Sequence, residues 1–189
     1  MKYTWIAAVA LAATGPLAAQ TPPNPQALIA AQRQAMVPLA RMDGIWRGSA
    51  WTITPNGRHE ITQTERIGTF LGGSVRMVEG RGYNADGTVG FNALGIIAFN
   101  PATSSYTMSS WAQGYSGVFP FRPTADGYVW EVPAGPGAIV RYTATISDGA
   151  WREVGERVAG TAKPVQIFEM NLRRVSDTDW PAAGAVPMR

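Results

Sequence analysis

The residues of this chain best equipped for chemistry are its carboxylates, and they divide by type along the sequence. Every aspartate (Asp43, Asp86, Asp126, Asp148, Asp177 and Asp179) falls in a turn, just before a strand, or in the tail. Those are the places where a short side chain bonds its own backbone. Every glutamate (Glu60, Glu65, Glu79, Glu131, Glu153, Glu156 and Glu169) falls in a run that reads as a β-strand. Glutamate is depleted in strands, so each of these either faces solvent or has a reason to be inside. In the last run, Phe168, Met170 and Leu172 share one face while Glu169 and Asn171 share the other, because side chains alternate along a strand. If the apolar row is the interior, Glu169 faces solvent. The alternative is a partly polar interior, with Glu79, Glu153 and Glu169 near Arg76 or Arg141 as the candidate catalytic set. A buried carboxylate has a raised pKa if unpaired and a lowered one if an arginine is close.

Other chemistries lack their residues. His59 is the single histidine and there is no cysteine, whereas a stable zinc site needs several such ligands, so no metal is expected. Set between Arg58 and Glu60 at a strand's start, His59 reads as a solvated residue beside a turn. No Gly-x-Ser-x-Gly elbow supplies a serine nucleophile, and Gly72-Gly73 lies between strands rather than before a helix that could cradle phosphate. The formal charge of +3 is spread over scattered arginines with no basic stripe, which argues against nucleic acid as a partner.

Aromatic residues form the second constellation. Trp111, Tyr115, Phe119, Phe121, Trp130 and Trp151 fall in the middle and later strands, either as core or as the wall of a pocket. Of these, Trp111, Tyr115, Phe119, Trp130 and Trp151 are the candidate ligand-binding residues. The loops Gln113–Gly117 and Pro133–Ala138 would make a rim or gate.

These side chains need a scaffold, and the sequence sets one out. Met1-Lys2, the apolar run Trp5 to Ala13, and Leu17-Ala18-Ala19 before Gln20 read as a cleavable signal peptide over residues 1–19. Export to the periplasm or medium follows, with no later apolar stretch long enough to span a membrane as a helix. Residues 20–41 are a Pro-rich linker and a short helix capped by Asn24 and started by Pro25. Its apolar positions are Leu28, Ala31, Ala35, Met36 and Leu39, and Pro38 bends or ends it. From Gly44 onward the pattern is all β, with turns at Asn56-Gly57, Asp86-Gly87, Pro101-Ala102-Thr103, Asp126-Gly127 and Asp148-Gly149.

The strands so marked are roughly 44–54, 58–70, 74–83, 88–99, 105–112, 116–122, 128–133, 138–147, 150–158 and 164–175. A meander of antiparallel hairpins this long exposes an edge at each end unless it closes, so a barrel is favoured over a sandwich. The domain spans 42–175, and the polar, Pro-containing residues 176–189 read as a flexible tail.

Gly44-Ile45-Trp46 leading into the first strand, with Arg173 and Arg174 in the last, resembles the lipocalin-like (calycin) barrels. The resemblance implies that Trp46 packs across a closed end with a basic side chain over its ring, and that Gly44 lets the chain bend there. The stretches Phe70–Tyr83, Gly95–Trp111, Asp148–Glu156 and Phe168–Val175 are similar to a bacterial family of exported lipocalin-like proteins with no settled activity. The Gly-x-Trp-x-Gly of Gly44 to Gly48 is also similar to the nitrobindins, whose haem is held by a histidine near the chain's end. No histidine stands there, so haem is disfavoured and no cofactor is expected.

The reading that results is an exported barrel binding a small apolar or amphipathic molecule. One alternative is a cofactor-free cyclase, isomerase or lyase with an interior glutamate as base, which a glutamate buried beside a basic or phenolic group would favour. The other is a structural or interaction module with a filled barrel, which a solid interior would favour.

Overall fold

The computed structural model describes residues 24–180. The expected signal peptide and the end of the expected tail lie outside the described residues. Asn24 caps the helix α1 (Pro25–Met36), its side chain accepting the Gln26 N–H at 3.0 Å. Pro38 does not end the helical path but tightens it into a 3-10 turn, Val37–Met42. Residues three apart eclipse one another in that geometry, so Met36, Leu39 and Met42 form one fully buried row.

Ten strands follow: β1 (Gly44–Thr54), β2 (Gly57–Phe70), β3 (Val75–Tyr83), β4 (Val89–Asn100), β5 (Ser105–Ala112), β6 (Tyr115–Pro123), β7 (Gly127–Pro133), β8 (Ala138–Ser147), β9 (Ala150–Ala159) and β10 (Val165–Ser176). Each pairs antiparallel with its chain neighbours, and β1 pairs with β10, so the sheet is a closed up-and-down barrel. Closure removes both sheet edges, and the architecture fits a calycin-like fold.

Antiparallel order puts the odd-to-even hairpins (β1–β2, β3–β4, β5–β6, β7–β8, β9–β10) at one end and the other turns at the opposite end. The helix and its 3-10 extension pack at the second end, against β3, β4, β8 and the turn after β2. Met36, Leu39 and Met42 thereby plug it, in one core with Trp46, Ile67 and Trp151. Arg76 ties the plug down. Its guanidinium donates to both Asp43 carboxylate oxygens, at 2.7 and 2.8 Å, and to the Met36 carbonyl.

The Gly-x-Trp motif works differently from the expected arginine-over-indole arrangement. Trp46 is buried, donates its indole N–H to the Met42 carbonyl at 2.8 Å, and meets Trp151 edge-on with ring centres 5.5 Å apart. Arg174 instead donates to the Asp43 carbonyl and pairs with Asp177, while Arg173 is exposed. Among the described residues, arginine planes lie over Trp51 (Arg58) and Trp180 (Arg66), not over Trp46. Gly44 sits at φ +138°, where a Cβ would also press on the Ser176 carbonyl and the Arg174 side chain, which accounts for glycine at the bend. Past β10 the chain returns across β2, and Trp180 packs on Gly68 and meets the Phe70 ring edge-on.

Candidate functional site

The barrel is hollow. A cavity of about 890 Å³ runs from the helix plug to the open end, walled chiefly by inward positions of all ten strands. Its mouth carries Thr54, His59, Gln113, Tyr115 and Pro133, so the two loops expected to form a rim do stand at the open end.

Two rows of aromatic rings build the inner wall, the deeper one backed by Trp46 of the packed core. Trp46 meets Trp151, Trp151 meets Tyr128 at 6.1 Å, and Tyr128 stacks on Phe121 at 5.0 Å. Nearer the mouth, Phe119 lies 6.0 Å from Trp130, Trp130 stacks on Tyr142 at 4.5 Å, and Tyr142 meets Phe168 edge-on at 5.6 Å. Glu153 joins the rows. Its Oε1 accepts the Trp130 indole N–H at 3.1 Å and its Oε2 accepts the Tyr128 hydroxyl.

A second glutamate faces the same space. Glu65 on β2 shares the inward row with Ile61, Gln63 and Ile67, and its Oε1 accepts the Gln63 amide at 2.7 Å. Directly across the ladder stands Gly80 of β3, where a Cβ would lie 2.8 Å from Glu65 Oε1 and 3.0 Å from Oε2. Two residues on, a Cβ at Gly82 would lie 3.2 Å from the Gln63 side-chain oxygen. The pair of glycines in "EGRGY" thus clears the volume that the polar side chains of β2 occupy.

The electrostatics follow from burial. Desolvation pushes the Glu65 carboxyl up to about 8, against the Gln63 hydrogen bond, and the charges of Glu153 and Glu79 push it further the same way. Burial also raises Glu153, although the Tyr128 and Trp130 donors partly restrain it. Burial and the neighbouring Glu153 hold the Tyr128 phenol well above its usual range and push Tyr142 up to about 12. Both phenols are neutral at physiological pH. The residues lining the cavity include no lysine and no arginine, so nothing cationic in the wall offsets the two carboxyls.

Of the residues singled out from sequence, Glu153, Phe119, Trp130 and Trp151 line the cavity and Tyr115 stands at its mouth, 83% exposed. Trp111 lies on the outer face of β5, 47% exposed. Glu79, Glu169 and Arg141 are on the outer face as well, paired with Arg81, Arg152 and Glu131. Burial alone would raise Glu169, but hydrogen bonds from Arg152, Asn171 and Gln166 take it below the usual carboxylate range. Arg76 points inward but is committed to Asp43 and the helix plug. Glu65, Gln63, Tyr128, Tyr142 and Phe168 were not singled out. For the first two the signal was available: on one strand face, Ile61, Gln63, Glu65 and Ile67 set two polar side chains between apolar ones.

Among the described residues no three His, Asp or Glu side chains come together to hold a metal ion, and no helix is long and apolar enough to cross a membrane. Comparison of the sequence with protein-family models and with curated proteins finds no match in either.

Proposed function

We propose that this chain is an exported calycin-like protein, its leader ending near Gln20, that binds a small amphipathic molecule inside the barrel. The observation that carries the reading is the cavity itself, about 890 Å³ of space bounded by aromatic rings, with two carboxyls set into the wall. That volume lies within the range of ligand sites, and a filled structural barrel would not leave it. Binding would bury the apolar body of the ligand against Trp130, Tyr142, Phe168 and Phe119, while the carboxyls fix its polar end. Native mass spectrometry of the protein purified from its own cell envelope or medium tests this. The expected result is an intact mass lacking the leader and carrying a defined small molecule that denaturation releases. A full-length, empty protein that takes up no amphipathic probe would overturn it.

A second reading has its own observation, the Glu153 carboxyl buried against the Tyr128 hydroxyl. A carboxylate with a raised pKa beside a neutral phenol has the parts of a general base next to a hydrogen-bond donor for developing negative charge. Incubating the bound molecule with protein in D₂O reads this out. Deuterium uptake at carbon that is lost in Glu153→Gln would establish turnover, and unchanged ligand would exclude proton abstraction.

A further inference from the structure

The lumen is electrically one-sided. Glu65 and Glu153 face it, no arginine or lysine lines it, and the one inward arginine near its floor, Arg76, is consumed by Asp43 and the Met36 carbonyl. At the mouth, His59 is exposed and bonded to Asn84. The two carboxyls are not equivalent. Both oxygens of Glu153 are taken, by Trp130 and Tyr128. Glu65 is nine-tenths buried and receives one side-chain donor, Gln63, on Oε1, while no described residue donates to Oε2. Glu65 lines the cavity, so this oxygen is open to a hydrogen bond from a bound molecule. The walls around it favour positive charge too, since aromatic faces attract cations and the lumen is lined with them.

Resting on the binding reading above, we infer that the luminal ligand is a cationic amphiphile, an amine whose ammonium group donates to Glu65 and whose apolar body lies among the aromatic rings. An acid of the same shape would meet two carboxyls and no lysine or arginine, and is expected not to bind. A neutral alcohol can exchange one hydrogen bond with the protonated Glu65 carboxyl but gains no ion pair. Binding an ammonium also requires Glu65 to be ionised, and this carboxyl is protonated in the empty barrel at neutral pH, so uptake of the cation releases a proton. Glu153, Tyr128 and Tyr142 are the other titratable groups deep in this chamber, His59 and Tyr115 stand at its mouth, and Glu79 lies outside the wall beside Arg81; the two deep phenols stay neutral throughout.

Isothermal titration of the leaderless protein with three probes of one shape, phenylbutylamine, phenylbutanol and phenylbutyric acid, tests the inference. The amine should bind at least about tenfold more tightly than the alcohol, and the acid should not bind. Repeating the amine titration in two buffers of different ionisation enthalpy should show release of about one proton per ligand. In Glu65→Gln the advantage of amine over alcohol should vanish while alcohol affinity persists, which also shows that the variant is folded. Alcohol or acid binding as tightly as the amine in the wild-type protein would overturn the cationic ligand and leave luminal binding standing. No binding of any probe would overturn both, and this wild-type comparison does not depend on the variant folding.

Discussion

Burial holds the Glu65 carboxyl far from its intrinsic chemistry, and this has a consequence for stability. Its carboxyl sits near pKa 8 in the folded barrel but returns to about 4.5 when the chain unfolds. Below the lower value both states hold the proton and the group costs nothing. As pH rises the unfolded chain ionises freely while the folded one does not, so stability falls between about 4.5 and about 8 and then levels off. Glu153 is raised by burial as well and acts in the same direction. Chemical denaturation across that window should show the decline, on the order of a few kcal/mol, and Glu65→Gln should flatten much of it. A second residue-scale prediction concerns Gly80, whose missing Cβ leaves room for that carboxyl. Gly80→Ala should displace the Glu65 head group and weaken amine binding about tenfold or more while leaving the melting profile cooperative. Titration and calorimetry of the same sample check both halves.

At the scale of elements, the helix plug and the seam between β6 and β7 are the parts whose behaviour is least ordinary. Arg76 holds the plug from inside the barrel, so Arg76→Ala leaves the Met36 carbonyl without its donor and Asp43 without its partner. The expected cost is about 3 kcal/mol, with faster tryptic cleavage at Arg33 and Arg41, read by denaturation and limited proteolysis. The β6–β7 seam pairs only Phe121 with Trp130, Arg122 with Val129 and Pro123 with Tyr128. The rest of each strand runs toward the open end without that partner, and Pro120 has no N–H to offer. Amide hydrogen exchange should therefore be faster in 115–119 and at 131–132 than in the fully paired β1–β2 and β8–β9 hairpins. Turn chemistry and period-two alternation had marked all ten strands to within a residue or so at each end, since both are local properties of the chain. The 3-10 turn at Val37–Met42 was not marked. Pro38 reads locally as an end to the helix, and only the burial of Leu39 and Met42 carries the chain onward as a plug.

For the molecule as a whole, the hollow interior ties stability to occupancy. A luminal ligand at a hundred times its Kd should add about 2.7 kcal/mol, which for a chain of this size raises the melting temperature by several degrees. Differential scanning calorimetry with phenylbutylamine reads the shift directly, and the barrel has no disulfide that could mask it. By itself the sequence determined what depends on near neighbours: a capped helix, ten alternating strands, the turns between them, and aspartates kept to turns. It also favoured closure, because a meander so long has edges to hide. Which strand glutamates face inward was left open, since alternation gives two faces but not which of them meets the opposite wall. The tertiary structure decided that point, bringing Glu65 and Glu153 into one chamber and turning Glu79 and Glu169 toward arginines outside. It decided equally that the interior is a cavity rather than a packed core. Enclosed volume depends on how ten strands tilt and stagger around a common axis, a property of the closed sheet that no single strand carries.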